Sequence, residues 1–170
     1  LDDLRHAWSV TSIRRARAED QFALQNLHER WIGDVFVGMY VPSDAERALR
    51  EQSWTGPIGT PHPRHAMLVA ESCGQLVGFA AVGPTRDPDD DPRIVGELKI
   101  IIVDAAYRGA GIGSGLIAAG EREMRDSGFS AATLWVIPEN ERAVRVYELC
   151  SWSSDDTERL TNFAGREIRS

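Results

Sequence analysis

The stretch from Gly96 to Gly115, GELKIIIVDAAYRGAGIGSG, limits what this chain can fold into more than any other. Leu98 to Val103 reads as a strand, rich in β-branched residues and apolar on both faces, as a strand covered on two sides must be. It turns through Asp104-Ala105-Ala106-Tyr107 into Arg108-Gly109-Ala110-Gly111-Ile112-Gly113, and a helical pattern follows at once. Strand, glycine turn and helix in this order are a generic way to build an anion site; the alternative is a glycine-rich turn kept for tight packing. The first N–H groups of a helix have no intrahelical partner, and the helix dipole there favours negative charge. Glycines let a phosphate lie against the backbone, and Arg108 adds a fixed charge beside them.

Spacing excludes two familiar anion loops. A Walker loop needs Lys-Ser or Lys-Thr after its last glycine, and no lysine follows Lys99. The dinucleotide fingerprint fails too, because its last glycine falls on Ser114 or Leu116. What remains is R-x-x-G-x-G at Arg108, Gly111 and Gly113, behind a strand reading E-L-x-x-I-x-V. This resembles the acetyl-CoA loop of the GNAT superfamily of N-acetyltransferases. A second segment, LWVIPENERAVRVYELCSW, is similar to the family's strand followed by N-x-x-A-x-x-x-Y-E, at Asn140, Ala143, Tyr147 and Glu148. The order of elements fits from Val10 to the C-terminus.

The resemblance implies an α/β fold: a mostly antiparallel central sheet splayed between the fourth and fifth strands, with helices on both faces. It implies acetyl-CoA as co-substrate and no metal. The pantetheine arm would enter the splay and pair with the backbone of Ile101, Ile102 and Val103. The pyrophosphate would rest on amides of Arg108, Gly109, Ala110, Gly111, Ile112, Gly113 and Ser114, with Asn140, Ala143 and Tyr147 also at the cofactor. Three departures are visible: Ala105 where many members have proline, Ser151 where many have a glycine suited to positive φ, and a short final strand.

Composition bounds the rest. A chain of 170 residues fits one domain, 1–170, with residues 1–9 a lead that has no clear period. It opens on leucine, so an original start is expected to have been lost. No apolar run reaches the length of a membrane span and no signal-peptide pattern opens the chain. Cys73 and Cys150 are isolated, and a reduced, cytoplasmic protein is expected. A net charge of −7 argues against a nucleic-acid surface and is compatible with steering a cationic substrate.

Along the chain, a strand is expected over Val10–Ala16 and a helix from Glu19, with Phe22, Leu24, Leu27 and Trp31 on its apolar stripe. A second helix is expected over Ala45–Trp54 and a loop to Arg64. Ala66–Ala70 and Gln75–Val82 read as a hairpin. TRDPDDD, within Gly83–Pro92, reads as a solvated acidic tip. The helix after the glycine turn spans Ile112–Asp126 and ends at Ser127-Gly128. A strand over Ala131–Ile137, a helix from Asn140 or Glu141 and a strand over Thr157–Phe163 follow.

Acetyl transfer to an amine needs a base, because a primary ammonium with pKa about 10 is mostly protonated at neutral pH. Glu97 is the candidate base; the competing assignment is an ion pair with Lys99 on the same strand face. Tyr147 is the candidate acid for the departing thiolate, or else a core residue. Asn140 suits a helix cap and cofactor contact together. Trp31 and Tyr40 belong to the region that roofs the acceptor site in this family. His62 and His65 flank Pro63 without a third ligand, so loop surface is expected. The expected activity is transfer of an acetyl group to a primary amine of a small molecule or peptide. A binding module without turnover, and a protein N-terminus or lysine as acceptor, are the alternatives. A homodimer is common among look-alikes, and the oligomeric state stays open.

Overall fold

Met67, Leu68, Val69 and Ala70 are buried without a break, and such a run on a strand requires cover on both faces. The computed structural model, which describes residues 12–35, 63–163 and 166–169, supplies that cover. The central sheet has the order β1 (Ser12–Arg15), β2 (Ala66–Ser72), β3 (Gln75–Pro84), β4 (Val95–Val103), β5 (Ala131–Leu134). Neighbours are antiparallel except β4 and β5, which are parallel. Helix α1 (Gln21–Val35) covers one face; α2 (Ile112–Asp126) and α3 (Glu141–Leu149) lie on the other. This is the mixed sheet expected from the sequence.

Each face has its own core, and strand residues alternate between them. Met67, Val69, Phe79 and Ile102 meet Leu24 and Leu27 of α1. Leu68, Ala70, Val77, Ala80, Val82 and Leu98 meet Ile112, Leu116, Ile117 and Met124 of α2. Fully burying such side chains stabilises the fold by about 1.5–3 kcal/mol each. Helix α2 crosses β1 closely because residue 115 is glycine: a Cβ there would stand 2.9 Å from Ile13 Cδ1.

Several expectations change. A 3₁₀ turn, Ala18–Asp20, precedes α1, which begins at Gln21 and not at Glu19, and Asp20 is buried. Arg14 donates two hydrogen bonds to it, at 2.6 and 2.9 Å, and the Arg17 N–H a third at 2.7 Å. Phe22 points outward, 74% exposed, so it does not belong to the apolar stripe. Strand β5 ends at Leu134, short of Ile137. The terminal β6 (Leu160–Phe163) and β7 (Arg166–Arg169) pair with each other in a separate two-stranded sheet. The helix expected over Ala45–Trp54, Tyr40, His62 and the lead 1–9 lie outside the described residues.

Candidate active site

The site begins where β4 and β5 part. Their ladder pairs Val95–Leu98 with Ala131–Leu134 and stops. Strand β4 continues to Val103, so the edge of Lys99–Val103 that faces β5 has no strand partner among the described residues. A β-bulge coincides with the fork. Leu98 faces Val82 and Ile100 faces Ala81, leaving Lys99 as the extra residue. The bulge reverses the alternation, so Leu98 and Ile101 both join the α2-side core while Ile100 and Ile102 join the α1-side core. Ile101, Ile102 and Val103, the residues expected to pair with pantetheine, lie on this open stretch.

The strand end is pinned. The Asp104 N–H donates to Val77 O at 2.9 Å, its carboxylate accepts from the Ala106 N–H at 3.0 Å, and Arg30 donates to it at 2.8 Å. The chain then passes through Gly109 at φ 83° and Gly111 at φ 79°, a left-handed backbone that favours glycine. Gly111 caps α2, and its carbonyl accepts the first helical bond, from the Gly115 N–H at 3.0 Å. The N–H groups of Ile112, Gly113 and Ser114 therefore have no acceptor within the helix. No acidic residue occupies that first turn, and Arg108 is exposed beside it. A Cβ on Gly113 would meet only Val146 Cγ1 at 3.9 Å and Val103 Cγ2 at 4.0 Å. Val103 at the strand end and Val146 of α3 thus flank the first turn of α2 at ordinary contact distance, and the free N–H donors of that turn suit a diphosphate.

Helix α3 forms the far wall. Asn140 caps it, its side chain accepting from the Ala143 N–H at 3.2 Å. At the other end Ser151 takes φ 67°, and the Trp152 N–H returns to Tyr147 O at 3.0 Å, a Schellman closure. The Trp152 indole donates to Glu121 of α2 at 2.8 Å, tying the two helices together. Tyr147 packs on the α2-side core, and burial pushes its phenol up to about 12. Its hydroxyl keeps its proton across the working pH range.

Glu97 sits on the opposite side of the sheet. A Cβ on Gly96 would strike Met124 and Phe129 on the α2 side, so Glu97, next in the alternation, faces α1. It is 1% exposed. Its partner is Arg86 and not Lys99. The guanidinium donates to Oε1 at 2.6 Å and Oε2 at 3.0 Å, and the Arg86 N–H to Oε2 at 3.0 Å. Burial alone pushes this carboxyl up; the hydrogen bonds and charge of Arg86, with Lys99 beyond, more than offset it, and the net direction is down. Both oxygens are engaged and the group is held ionised, a poor arrangement for accepting a proton from an ammonium. The loop read as a solvated tip thus supplies the partner of a buried acid. A signal existed in the single arginine of TRDPDDD, but nothing in the sequence showed its reach.

Trp31 lies at the glycine-loop end of β4, away from Glu97. With Leu27, Arg30, Ile102, Asp104 and Arg108 it lines a cavity of about 160 Å³, and its indole stacks on His28 at 6.0 Å. Sequence reasoning missed Arg30 and Arg86. It also missed Trp135, the first residue past the fork, whose ring lies 4.6 Å below the Arg159 guanidinium. No group of three His, Cys, Asp or Glu side chains suited to a metal occurs among the described residues. No helix among them is long and apolar enough to cross a membrane.

Comparison with known proteins bears on this geometry. A family model described as acetyltransferase (GNAT) family matches residues 24–152. A mycothiol acetyltransferase from Propionibacterium freudenreichii subsp. shermanii is 34% identical over 140 residues, which cover 82% of this chain and 41% of that protein. The chain therefore spans about two fifths of the length of this curated relative. A ribosomal-protein-alanine N-acetyltransferase from Brucella melitensis superposes with TM-score 0.71 at 23% identity, covering 93% of this chain and 94% of that one. An aminoglycoside N-acetyltransferase in complex with CoA superposes with TM-score 0.66 at 20% identity, covering 91% of this chain and 99% of that one. These two structures share the fold. With the family match over residues 24–152 and the strand-to-glycine-loop geometry in place, the chain belongs to the acetyltransferase (GNAT) family.

Proposed function

We propose that this chain transfers an acetyl group from acetyl-CoA to a primary amine of a small molecule, by direct attack in a ternary complex. The observation that carries the reading is the unpaired β4 edge of Lys99–Val103 leading into the open N–H groups at the start of α2. The curated relative supports the acceptor class: it is a mycothiol acetyltransferase, while the structural neighbours carry the names of both an aminoglycoside and a ribosomal-protein-alanine N-acetyltransferase. Acetyl-CoA supplies an activated acetyl group when bound. The N–H groups of Ile112, Gly113 and Ser114, with Arg108, hold its pyrophosphate. Ile101 to Val103 offer backbone partners to the pantetheine and, at the fork, an N–H for the carbonyl oxygen as charge develops on it.

The chemistry makes one C–N bond and breaks one C–S bond. Tyr147 gives its proton to the departing thiolate and recovers one from the nitrogen, which sheds its second proton after attack. The ammonium proton of the acceptor passes to water, because Arg86 occupies both oxygens of Glu97. That same occupancy favours one second reading, acyl-CoA binding without turnover. A thiol-release assay over a panel of amines, beside calorimetric titration with CoA, separates them: binding with turnover supports the enzyme, and binding with no turnover on any amine supports the module.

A further inference from the structure

We propose that Lys99 is an acceptor contact, its ammonium receiving a carboxylate carried by the amine that is acetylated. The proposal rests on the reading of the fork as an acyl-CoA site and names the class of acceptor that this site takes.

Lys99 is the bulge residue at the point where β4 leaves β5, so its position is fixed by the same irregularity that opens the cleft. It is half-buried. The acid nearest to it in sequence and charge, Glu97, is taken by Arg86 through both oxygens, and Lys99 makes no ion pair among the described residues. Two cations therefore share one carboxylate at the fork, leaving a positive charge in a partly desolvated place. A half-buried ammonium without a counterion is costly, and an incoming anion offsets that cost. Burial and the Arg86 charge both press its ionised form, while Glu97 partly restores it, and the net direction is down. An acceptor carboxylate acts against both pressures.

A glycine sets where the Lys99 ammonium rests. Gly83 stands directly opposite Glu97 in the β3–β4 ladder. A Cβ at that position would come within 3.2 Å of Lys99 Nζ and 3.0 Å of His65 Nδ1. The missing side chain lets the ammonium and the imidazole gather over one point of the sheet, beside the Arg86–Glu97 pair. The groups that face Lys99 are thus Glu97, Arg86 and His65. The chain's −7 net charge is compatible with a cationic substrate, but the local charge at the fork has the opposite sign.

The test uses acid and carboxamide pairs of the same amine: β-alanine against β-alaninamide, and glycylglycine against glycylglycinamide. Comparing kcat/KM ratios between wild type and Lys99→Met cancels the different basicity of the two amines in a pair. The expected result is a preference for the acid of about tenfold or more, typical of one hydrogen bond to a charged group. The preference collapses in Lys99→Met and survives in Lys99→Arg, with CoA affinity unchanged in both. A second readout does not depend on turnover. Lys99 is the single lysine of the chain, so protein labelled with ¹⁵N-lysine gives one Nζ resonance, which moves on adding the acid in the presence of CoA and stays still on adding the amide. Equal use of acid and amide, or an equal loss on both in Lys99→Met, overturns the proposal, the latter pointing to a proton-transfer role instead. Failure of wild type to bind CoA overturns the underlying reading of the cleft; CoA binding without acid preference overturns only the assignment of Lys99.

Discussion

Arg86 closes on Glu97 from a loop eleven residues earlier in the chain, with guanidinium contacts at 2.6 and 3.0 Å and a backbone N–H at 3.0 Å. Glu97 is almost fully buried while the Arg86 side chain is 58% exposed. The carboxylate therefore depends on the pair more than the arginine does. Arg86→Met is expected to destabilise the fold by about 1.5–2 kcal/mol, the low end for a lost charged hydrogen bond because solvent screens Arg86. The pH dependence follows from the lowered Glu97 pKa. The unfolded chain binds the proton more readily, so the contribution is present above the unfolded value, about 4.3, and is lost as pH falls through the folded one. Denaturation of wild type and Glu97→Gln over a pH series checks this. The stability gap should hold through neutral pH and close in acid; a gap that stays constant in acid would show that the pair is not ionised.

The same pairing predicts the pH–rate profile. A carboxylate held below its ordinary range contributes no acidic limb near neutrality. Glu97→Gln is expected to leave the shape of kcat/KM against pH intact, with only a modest fall in magnitude. Disappearance of an acidic limb in the folded variant would restore Glu97 as the base and require Arg86 to move away when the acceptor binds.

Tyr147→Phe keeps the ring in the α2-side core and removes only the hydroxyl. Turnover is expected to fall about 10²-fold, the lower end for general acid catalysis, while CoA affinity stays level. Stopped-flow measurement of the chemical step, beside calorimetry, tests it. Full turnover in a variant whose chemistry is rate-limiting would leave Tyr147 as packing alone.

Gly111 and Gly113 separate two uses of glycine. Gly111 is left-handed at φ 79°, so Gly111→Ala is expected to cost about 1–2 kcal/mol of stability wherever the ligand stands. Gly113 has ordinary room for a Cβ, with nothing nearer than 3.9 Å. Gly113→Ala should fold normally, and Gly113→Val should fold but lose CoA affinity by tenfold or more as its branches enter the space over the helix N–H groups. Thermal melts and CoA titrations of the three variants check this; undiminished CoA binding by Gly113→Val would displace the phosphate from this loop.

The parts legible in the sequence were those fixed by local chemistry. Gly109, Gly111 and Ser151 have the positive φ that the loop and the helix end require, and Asn140 caps α3. The β-branched run of β4 announced a strand covered on both faces. What escaped was set by tertiary contact. Simple alternation put Glu97 and Lys99 on one face as possible partners, and the Lys99 ammonium does rest over Gly83 opposite Glu97, but an arginine from a polar loop takes both carboxylate oxygens first. The apolar run to Ile137 reads as strand throughout, yet β5 ends at Leu134, where its ladder with β4 stops. Trp31 carried no mark of which end of β4 it would meet.

Ser151 offers a test of the wall that carries Tyr147. Its φ of 67° is unfavourable for an L-residue by about 1–2 kcal/mol. Glycine removes that strain and gives back about 0.5–1 kcal/mol through greater freedom when unfolded. Ser151→Gly is therefore expected to stabilise the protein by about 0.5–1 kcal/mol, a rise in Tm of about 2 °C for a chain of this size. The Schellman bond from the Trp152 N–H to Tyr147 O and the indole contact to Glu121 do not involve the serine hydroxyl, so turnover should not change. Ser151→Ala keeps the Cβ and the strain, and should bring no gain. Differential scanning calorimetry of the two variants decides the matter: equal melting temperatures for glycine and alanine would mean that this turn relaxes in solution and does not hold Tyr147 as the helix end implies.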